Sequence, residues 1–344
     1  MKVTRVGLDI AKVVFQVHGV NEHDKPQLRK RLQRGSVLEF FAQLPLCLVG
    51  IEACGGAHHW ARELTKLGHT VKLIAPHLVK PYRTKGKNDA NDAEAICEAA
   101  GRPQLHCVAV KSEEQQAVLM VHRARELSMA NRTAQVNQIR GLLTEFGVVV
   151  PQGVTKLHAA LPGILEDAEN GLPVIARLTL ASLLEQLHAF DEQVAGYDRQ
   201  IREIAAASEP ARRLMKIEGI GPQTATALVA TMGDPHAYDS GRNYAASLGL
   251  TPRQNSSGNK ERLGHITRQG DCYLRKLLVL GAHGYLRQVD KKSDRKSAWA
   301  KSLKERRHTN VAAVALAAKH ARIAWAMLAH GTEYRPAGPE VVAA

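Results

Sequence analysis

The sequence predicts a mixed α/β domain at the N-terminus followed by mainly helical regions. Three observations carry this. Residues 46–51, Leu-Cys-Leu-Val-Gly-Ile, form a continuous apolar run of strand length, as a strand covered on both faces requires. Strand-like runs at 3–8 and 71–74 alternate with helix-like stretches at 57–67 and 88–100. Beyond residue 112 the apolar residues recur at helical spacing over long stretches.

The first strand, 3–8, runs into Asp9. Val13, Phe15 and Val17 alternate, and Gly19 to Asn21 can turn, which predicts a hairpin. The run at 46–51 ends at Glu52, a helix at 57–67 stops at Gly68, and the strand at 71–74 stops at Pro76. The stretch Lys87-Asn88-Asp89-Ala90-Asn91-Asp92-Ala93-Glu94-Ala95 then opens a helix reaching about residue 100, with Asn88 placed to cap its first turn. Spacing of three puts Asp89 and Asp92 on nearly the same face. Two readings compete there: acids placed for the helix dipole, or half of a divalent-cation site. Asp9 and Glu52, each at a strand end, offer further carboxylates where sites gather in open α/β sheets. Four carboxylates on elements able to converge suggest a two-metal phosphodiester site holding Mg²⁺ or Mn²⁺.

Ser112 and Gln115 form a capping-box pattern ahead of a long helix over about 113–146. Its Arg123, Arg125, Arg132 and Arg140 form either a solvated face or a phosphate-contacting one. Pro151-Gln152-Gly153 and Pro162-Gly163 punctuate the next stretch. A second long helix spans about 174–207, where Leu183, Leu187, Phe190, Val194, Tyr197, Ile201 and Ile204 keep a strict 4-3 spacing. That is a heptad seam whose partner is another subunit or the earlier long helix. Residues 214–229 read as a helix–hairpin–helix around Gly219-Ile220-Gly221, a turn that lets backbone N–H groups approach a phosphate. After a helix at 239–248, the Ser/Asn/Gly-rich stretch 249–260 is a mobile loop by default. Cations surround it: Arg253, Lys260, Arg262, His265 and Arg268. A serine among them is a candidate nucleophile toward a phosphate. An apolar helix over 272–286, a basic stretch over 287–307 and an Ala-rich helix over about 310–330 complete the chain. The basic stretch includes Lys291, Lys292, Arg295 and Lys296, and fits a backbone-binding surface.

Composition narrows the function classes. At 344 residues the chain has room for two domains. A net charge of +14 and a pI of about 9.7 point to a polyanion, nucleic acid first. No apolar run approaches the ~20 residues of a membrane span, and no signal-peptide pattern opens the chain, so a cytoplasmic protein with no membrane partner is expected. Five scattered cysteines with no C-x-x-C pair argue for a reducing compartment and against structural zinc. Aromatics at 4% make base stacking an unpromising main binding mode.

Five motifs occur in an order that resembles the DEDD transposases of the insertion-sequence 110 family. They are Gly7-Leu8-Asp9-Ile10-Ala11-Lys12, Ile51-Glu52-Ala53-Cys54-Gly55-Gly56, Asn88-Asp89-Ala90-Asn91-Asp92-Ala93, Ile217-Glu218-Gly219-Ile220-Gly221 and Gly249-Leu250-Thr251-Pro252-Arg253. The stretch 53–60, with Phe146-Gly147 and Pro151-Gln152-Gly153, further resembles the family's 1111 subgroup. The resemblance implies a RuvC-like (RNase H-fold) domain over 1–150, a coiled-coil connector over 151–209, and a transposase domain over 210–334, leaving 335–344 as a loose tail. It implies a recombinase that binds donor and target DNA, is guided by a structured non-coding bridge RNA, and assembles as a dimer or dimer of dimers. Asp9, Glu52, Asp89 and Asp92 match the family's four Mg²⁺-binding acids. Ser257, directly before a glycine, matches its nucleophile, with Ser256 as the fallback. Cys54 departs from the threonine common after the glutamate, and Asn88 from a frequent Thr or Ser. The residues expected to contact nucleic acid are Arg123, Arg132, Arg140, Gly219, Gly221, Arg253, Lys260, Arg262, Arg268, Lys291, Lys292, Arg295 and Lys296. The alternative is a RuvC-like junction endonuclease that uses water as its nucleophile.

Overall fold

The structure, a computed structural model, describes residues 3–84, 86, 88–105, 107–258 and 260–335. Lys87, which opens the acidic stretch, Asn259 in the serine segment, and the tail from 336 onward lie outside the described residues. The chain divides into two compact units, Met1–Glu113 with Met232–Ala237, and Glu114–Thr231 with Tyr238–Ala344.

The first unit is built on a six-stranded sheet. Its elements are β1 (Arg5–Asp9), β2 (Val14–Val20), β3 (Pro26–Gln33), α1 (Val37–Ala42), β4 (Leu48–Glu52), α2 (Ala57–Lys66), β5 (Thr70–Ile74), α3 (Pro76–Val79), α4 (Asp89–Ala100) and β6 (Cys107–Val108). The sheet order is β3-β2-β1-β4-β5-β6. β1 pairs parallel with β4, and β4 with β5, while β2, β3 and β6 run antiparallel to their neighbours. The expected hairpin is present, but its turn lies later, where Asn21 N–H donates to the Lys25 carbonyl. Its second strand, β3, is polar on most positions, with Arg29, Lys30 and Arg31 consecutive, and has little apolar signal. Pro76 does not merely stop β5. It opens α3 at the first helical position, where its missing N–H costs nothing.

The sheet is covered on both faces. One core gathers Leu8, Phe15, Val49, Ile51, Trp60 and Leu64, with Trp60 edge-on to Phe15 at 4.9 Å between ring centroids. The other contains Ile74, Ala95, Ile96, Ala99 and Ala100. α4 presses directly on the strands. A Cβ added at Gly7 would lie 2.1 Å from the Ala93 carbonyl oxygen and 2.4 Å from the Cys97 nitrogen. One at Gly50 would lie 2.6 Å from the Ala100 Cβ. Gly7 and Gly50 are register partners in β1 and β4. Together they make a floor without side chains, on which the small residues of α4 rest.

The second unit is largely helical: α5 (Glu113–Glu145), α6 (Val154–Glu166), α7 (Val174–Ala207), α8 (Glu209–Leu214), α9 (Pro222–Met232) and α10 (Gly241–Ser247) precede a small sheet of β7 (Pro252–Gln254) and β8 (Leu263–Ile266), and α11 (Cys272–Gln288), α12 (Arg295–Arg306) and α13 (Thr309–His330) complete it. α5 and α7 lie antiparallel. Arg125 pairs with Asp198, Ser128 donates to Gln193, Arg132 pairs with Asp191, and Gln135 donates to the Leu183 carbonyl. Leu187, Val194 and Ile201 of the heptad seam are buried within the chain. The seam therefore has an intrachain partner, the earlier long helix. This lengthwise packing groups α5 with the helices that follow, in the second compact unit. Pro162 does not interrupt α6, which runs through it. Burial of Leu157 and Leu161 against Val136, Ile139 and Leu180 offsets the lost backbone hydrogen bond.

The stretch 249–260, expected as a mobile loop, forms one arm and the tip of a β-hairpin. Pro252 pairs with Ile266, Gln254 with Leu263, and an isolated bridge joins Ser257 to Lys260. Among the described residues α13 alone is long and apolar enough to cross a membrane, a length the sequence expectation missed because Lys319 and Arg322 interrupt the run. It packs on α10 and α11, burying Ala313, Leu316, Ala317, Ala321 and Ala324.

Candidate functional site

β1 and β4 lie where the sheet order reverses direction, and their C-terminal ends carry Asp9 and Glu52. α4 runs back over the glycine floor, so its first turn arrives at those same ends. Asn88 caps that turn, its side-chain oxygen accepting from the Asn91 N–H at 2.8 Å. The cap fixes where the helix begins, and hence where Asp89 and Asp92 sit.

The four acids share one electrostatic environment. The Asp9 carboxyl is pushed up to about 6, first by burial and then by the charges of Asp89, Asp92 and Glu52. Partial burial, then Glu52 and Asp9, likewise push the Cys54 thiol up. Accumulated negative charge that raises a carboxyl this far is what a divalent cation relieves. The donors are hard carboxylate oxygens, which suit Mg²⁺ or Mn²⁺. The acids are nonetheless spread: among the described residues no three His, Cys, Asp or Glu side chains form a closed cluster able to hold a metal ion. Arg83 takes part of the charge, with its Nη1 lying 3.2 Å from Asp92 Oδ1. Sequence reasoning missed Arg83, although it lies in a basic run immediately before the acids. Asp9 and Glu52 each end the same pattern, Gly-Leu-Asp and Gly-Ile-Glu. A glycine inside a strand signals close approach of another backbone.

In the second unit the two serines at the hairpin tip differ. Ser256 Oγ accepts from the Arg262 N–H at 3.0 Å and from Gln254 Nε2 at 3.1 Å, so it holds the tip together. Ser257 is exposed, and its backbone carbonyl accepts from the Lys260 N–H at 3.1 Å. Arg253, Lys260, Arg262 and Arg268 are all exposed on this hairpin and its base. Arg268 has a φ of +57°, a costly conformation for a residue with a side chain.

The other expected phosphate contacts divide. Arg123, Gly221, Lys291 and Arg295 are exposed. Arg140 donates to the Val150 carbonyl at 3.2 Å. Four are engaged within the chain. Arg132 is half-buried and paired with Asp191. Lys296 is buried and pairs with Glu218 at 3.2 Å, and Lys292 pairs with the same carboxylate. Gly219, at φ +91°, abuts the Gly281 backbone, where a Cβ would meet the carbonyl oxygen at 2.8 Å. It is a glycine so that the turn can dock on α11, whereas Gly221 faces open space.

Two family descriptions match this chain. Residues 6–148 match the DEDD transposase domain of insertion sequence IS110, and residues 211–298 match the transposase family IS116/IS110/IS902. The chain is 48% identical to a probable family 20 transposase of Pseudomonas aeruginosa, over 98% of this chain and 100% of that protein. This protein is a transposase of the IS110/IS116/IS902 family. The transposase is also 42% identical to that of insertion sequence element IS1111A from Coxiella burnetii, over 96% and 91% of the two chains. It is 40% identical to that of IS1328 from Yersinia enterocolitica, over 96% and 98%. Such an enzyme cuts and rejoins DNA, and the DEDD domain of the transposase suggests use of a divalent metal.

Proposed function

We propose that this transposase breaks and rejoins DNA using a divalent cation on Asp9, Glu52, Asp89 and Asp92 and a serine nucleophile, Ser257. The observation that supports the reading is that Asp9, pushed up first by burial, also feels the charges of Asp89, Asp92 and Glu52. The sheet order with Asp9 on its central strand supports a RuvC-like domain. Mg²⁺ or Mn²⁺ held there supplies positive charge that polarises the scissile phosphate. Ser257 Oγ gives its proton to solvent and attacks phosphorus, forming an O–P bond as one backbone P–O bond breaks. The displaced strand end leaves as an oxyanion that takes up a proton. A hydroxyl from another strand then attacks the phosphoserine and releases the serine, so the bond energy is conserved for rejoining. Arg253, Lys260, Arg262 and Arg268 are the cations that hold the phosphoryl oxygens. Ser256, already bonded to the Arg262 N–H, shapes the tip.

The acids and the serine belong to different compact units. This suits a homo-oligomer, a dimer or dimer of dimers, in which one copy supplies the acids and another the serine. The net charge of +14 suits backbone contact with donor and target DNA and with a structured guide RNA, leaving sequence choice to base pairing in the cytoplasm.

Trapping tests the serine. Incubation with DNA and Mg²⁺, followed by denaturation, yields a protein–DNA adduct mapped by mass spectrometry to Ser257, and Ser257→Ala yields none while still binding DNA. Strand cleavage by wild-type protein with no adduct at all would establish the junction endonuclease instead.

A further inference from the structure

We propose that a cavity at the base of the serine hairpin receives one unstacked nucleotide of the DNA strand. The cavity measures about 700 Å³, a size usual for a small-ligand site. Its walls are apolar: Leu250, Pro252, Trp299, Val314 and Ala315 contribute, bringing together the hairpin base, α12 and α13. Its lining also carries Arg242, Arg268 and Arg322. All three arginines are exposed, and among the described residues none forms an ion pair with a carboxylate. Arg322 Nε reaches only the Ala318 carbonyl of its own helix, at 3.4 Å.

An apolar slot bordered by unneutralised arginines matches a particular chemistry. A nucleobase removes apolar and aromatic surface from water, while the phosphates on either side of it meet the guanidinium groups. Charge argues against a purely apolar peptide, which would bury the slot and leave three cations unpaired. An indole is a suitable stacking partner, and Lys319 Nζ sits 4.3 Å from the centre of the Trp299 ring, holding that wall in place. The cavity also includes Thr251 and Pro252, at the start of β7, the hairpin arm that leads to the serines at the tip. A strand whose phosphate lies at the hairpin tip can therefore run along the hairpin and place a base a few nucleotides away in the slot. The inference rests on the hairpin facing DNA, and not on which serine attacks.

Binding measurements on the full chain, with no cleavage step, separate the two. The probes are a 20-residue oligothymidylate, an abasic polymer with the same phosphates, and an oligouridylate of the same length. Wild-type protein is expected to bind the oligothymidylate about 10-fold more tightly than the abasic polymer, the scale of one stacked base. Ala315→Phe fills the slot, and Trp299→Ala removes its aromatic wall. Each is expected to bring the ratio close to one while leaving affinity for the abasic polymer unchanged, with unaltered melting confirming the fold. Arg322→Gln should weaken both DNA probes equally. A wild-type ratio near one, or a ratio that survives Ala315→Phe, overturns the proposal. So does tighter binding of oligouridylate than of oligothymidylate, which would place RNA in the slot. None of these outcomes depends on Ser257, so they leave the nucleophile assignment untouched.

Discussion

Substituting Gly7 by alanine should dismantle the candidate site without touching any acid. The new Cβ would lie 2.1 Å from the Ala93 carbonyl oxygen, 2.4 Å from the Cys97 nitrogen and 2.8 Å from the Cys97 Cα. Ordinary contact begins near 3.4 Å, so α4 has to lift from β1 by about 1.3 Å. All three obstructing atoms are backbone, and no side chain can rotate to make room. Overpacking costs about 1–3 kcal/mol, and an obstruction made wholly of backbone belongs at the upper end, near ~3 kcal/mol. The displacement also withdraws Asp89 and Asp92 from Asp9. Urea unfolding reads the first effect and calorimetric titration with Mn²⁺ reads the second, where binding should weaken about tenfold or more for a loss of ~1.4 kcal/mol. Gly55→Ala is the control, since a Cβ there meets nothing within 4 Å, and it should stay within about 0.5 kcal/mol of wild type. Wild-type stability and wild-type Mn²⁺ affinity in Gly7→Ala would refute the packing of α4 on β1, and with it the argument that this packing assembles the four acids.

Three further predictions come from the same geometry. Gly50→Ala should destabilise by about 1–2 kcal/mol through the Ala100 methyl group, and Ala100→Gly in the same chain should recover much of that loss in urea unfolding. Failure of the double variant to recover would mean the strain lies elsewhere. Arg83→Gln should tighten Mn²⁺ binding severalfold in the same titration, because a resident cation no longer competes for Asp92; weaker binding would show that Arg83 instead orients that carboxylate. His320 is buried and pushed down to about 3 by burial and by Lys296 and Lys319, against about 6.5 when unfolded. The unfolded chain therefore binds the extra proton first on acidification. The stability held by neutral His320 is full above pH ~6.5 and is lost as pH falls toward 3, by about 2–3 kcal/mol at pH 4.5. His320→Leu should flatten that part of the urea-unfolding profile between pH 7 and 4.5, and an unchanged slope would refute the assignment.

The linear chain settles the elements whose signal is local. Asn88 and the acids after it mark the start of α4, and the heptads mark α7, because capping and periodicity act over a few residues. Local order also carries the family motifs. It does not carry β3, where Arg29, Lys30 and Arg31 separate the two apolar residues Leu28 and Leu32, nor the hairpin that Gln254 and Leu263 close across a run of Ser, Asn and Gly. Packing settles what charge alone leaves open. Lys296 and Arg132 look like free cations in a basic sequence, yet each neutralises an internal carboxylate whose position depends on residues far along the chain. Packing also separates Ser256, bound into the hairpin tip, from Ser257. At the acidic site the division is the same. Four carboxylates are visible in the sequence, but the burial of Asp9 and its exposure to the charge of the other three are not. Both depend on two glycines, paired across β1 and β4, that let a helix lie against bare backbone and bring its first turn to both strand ends.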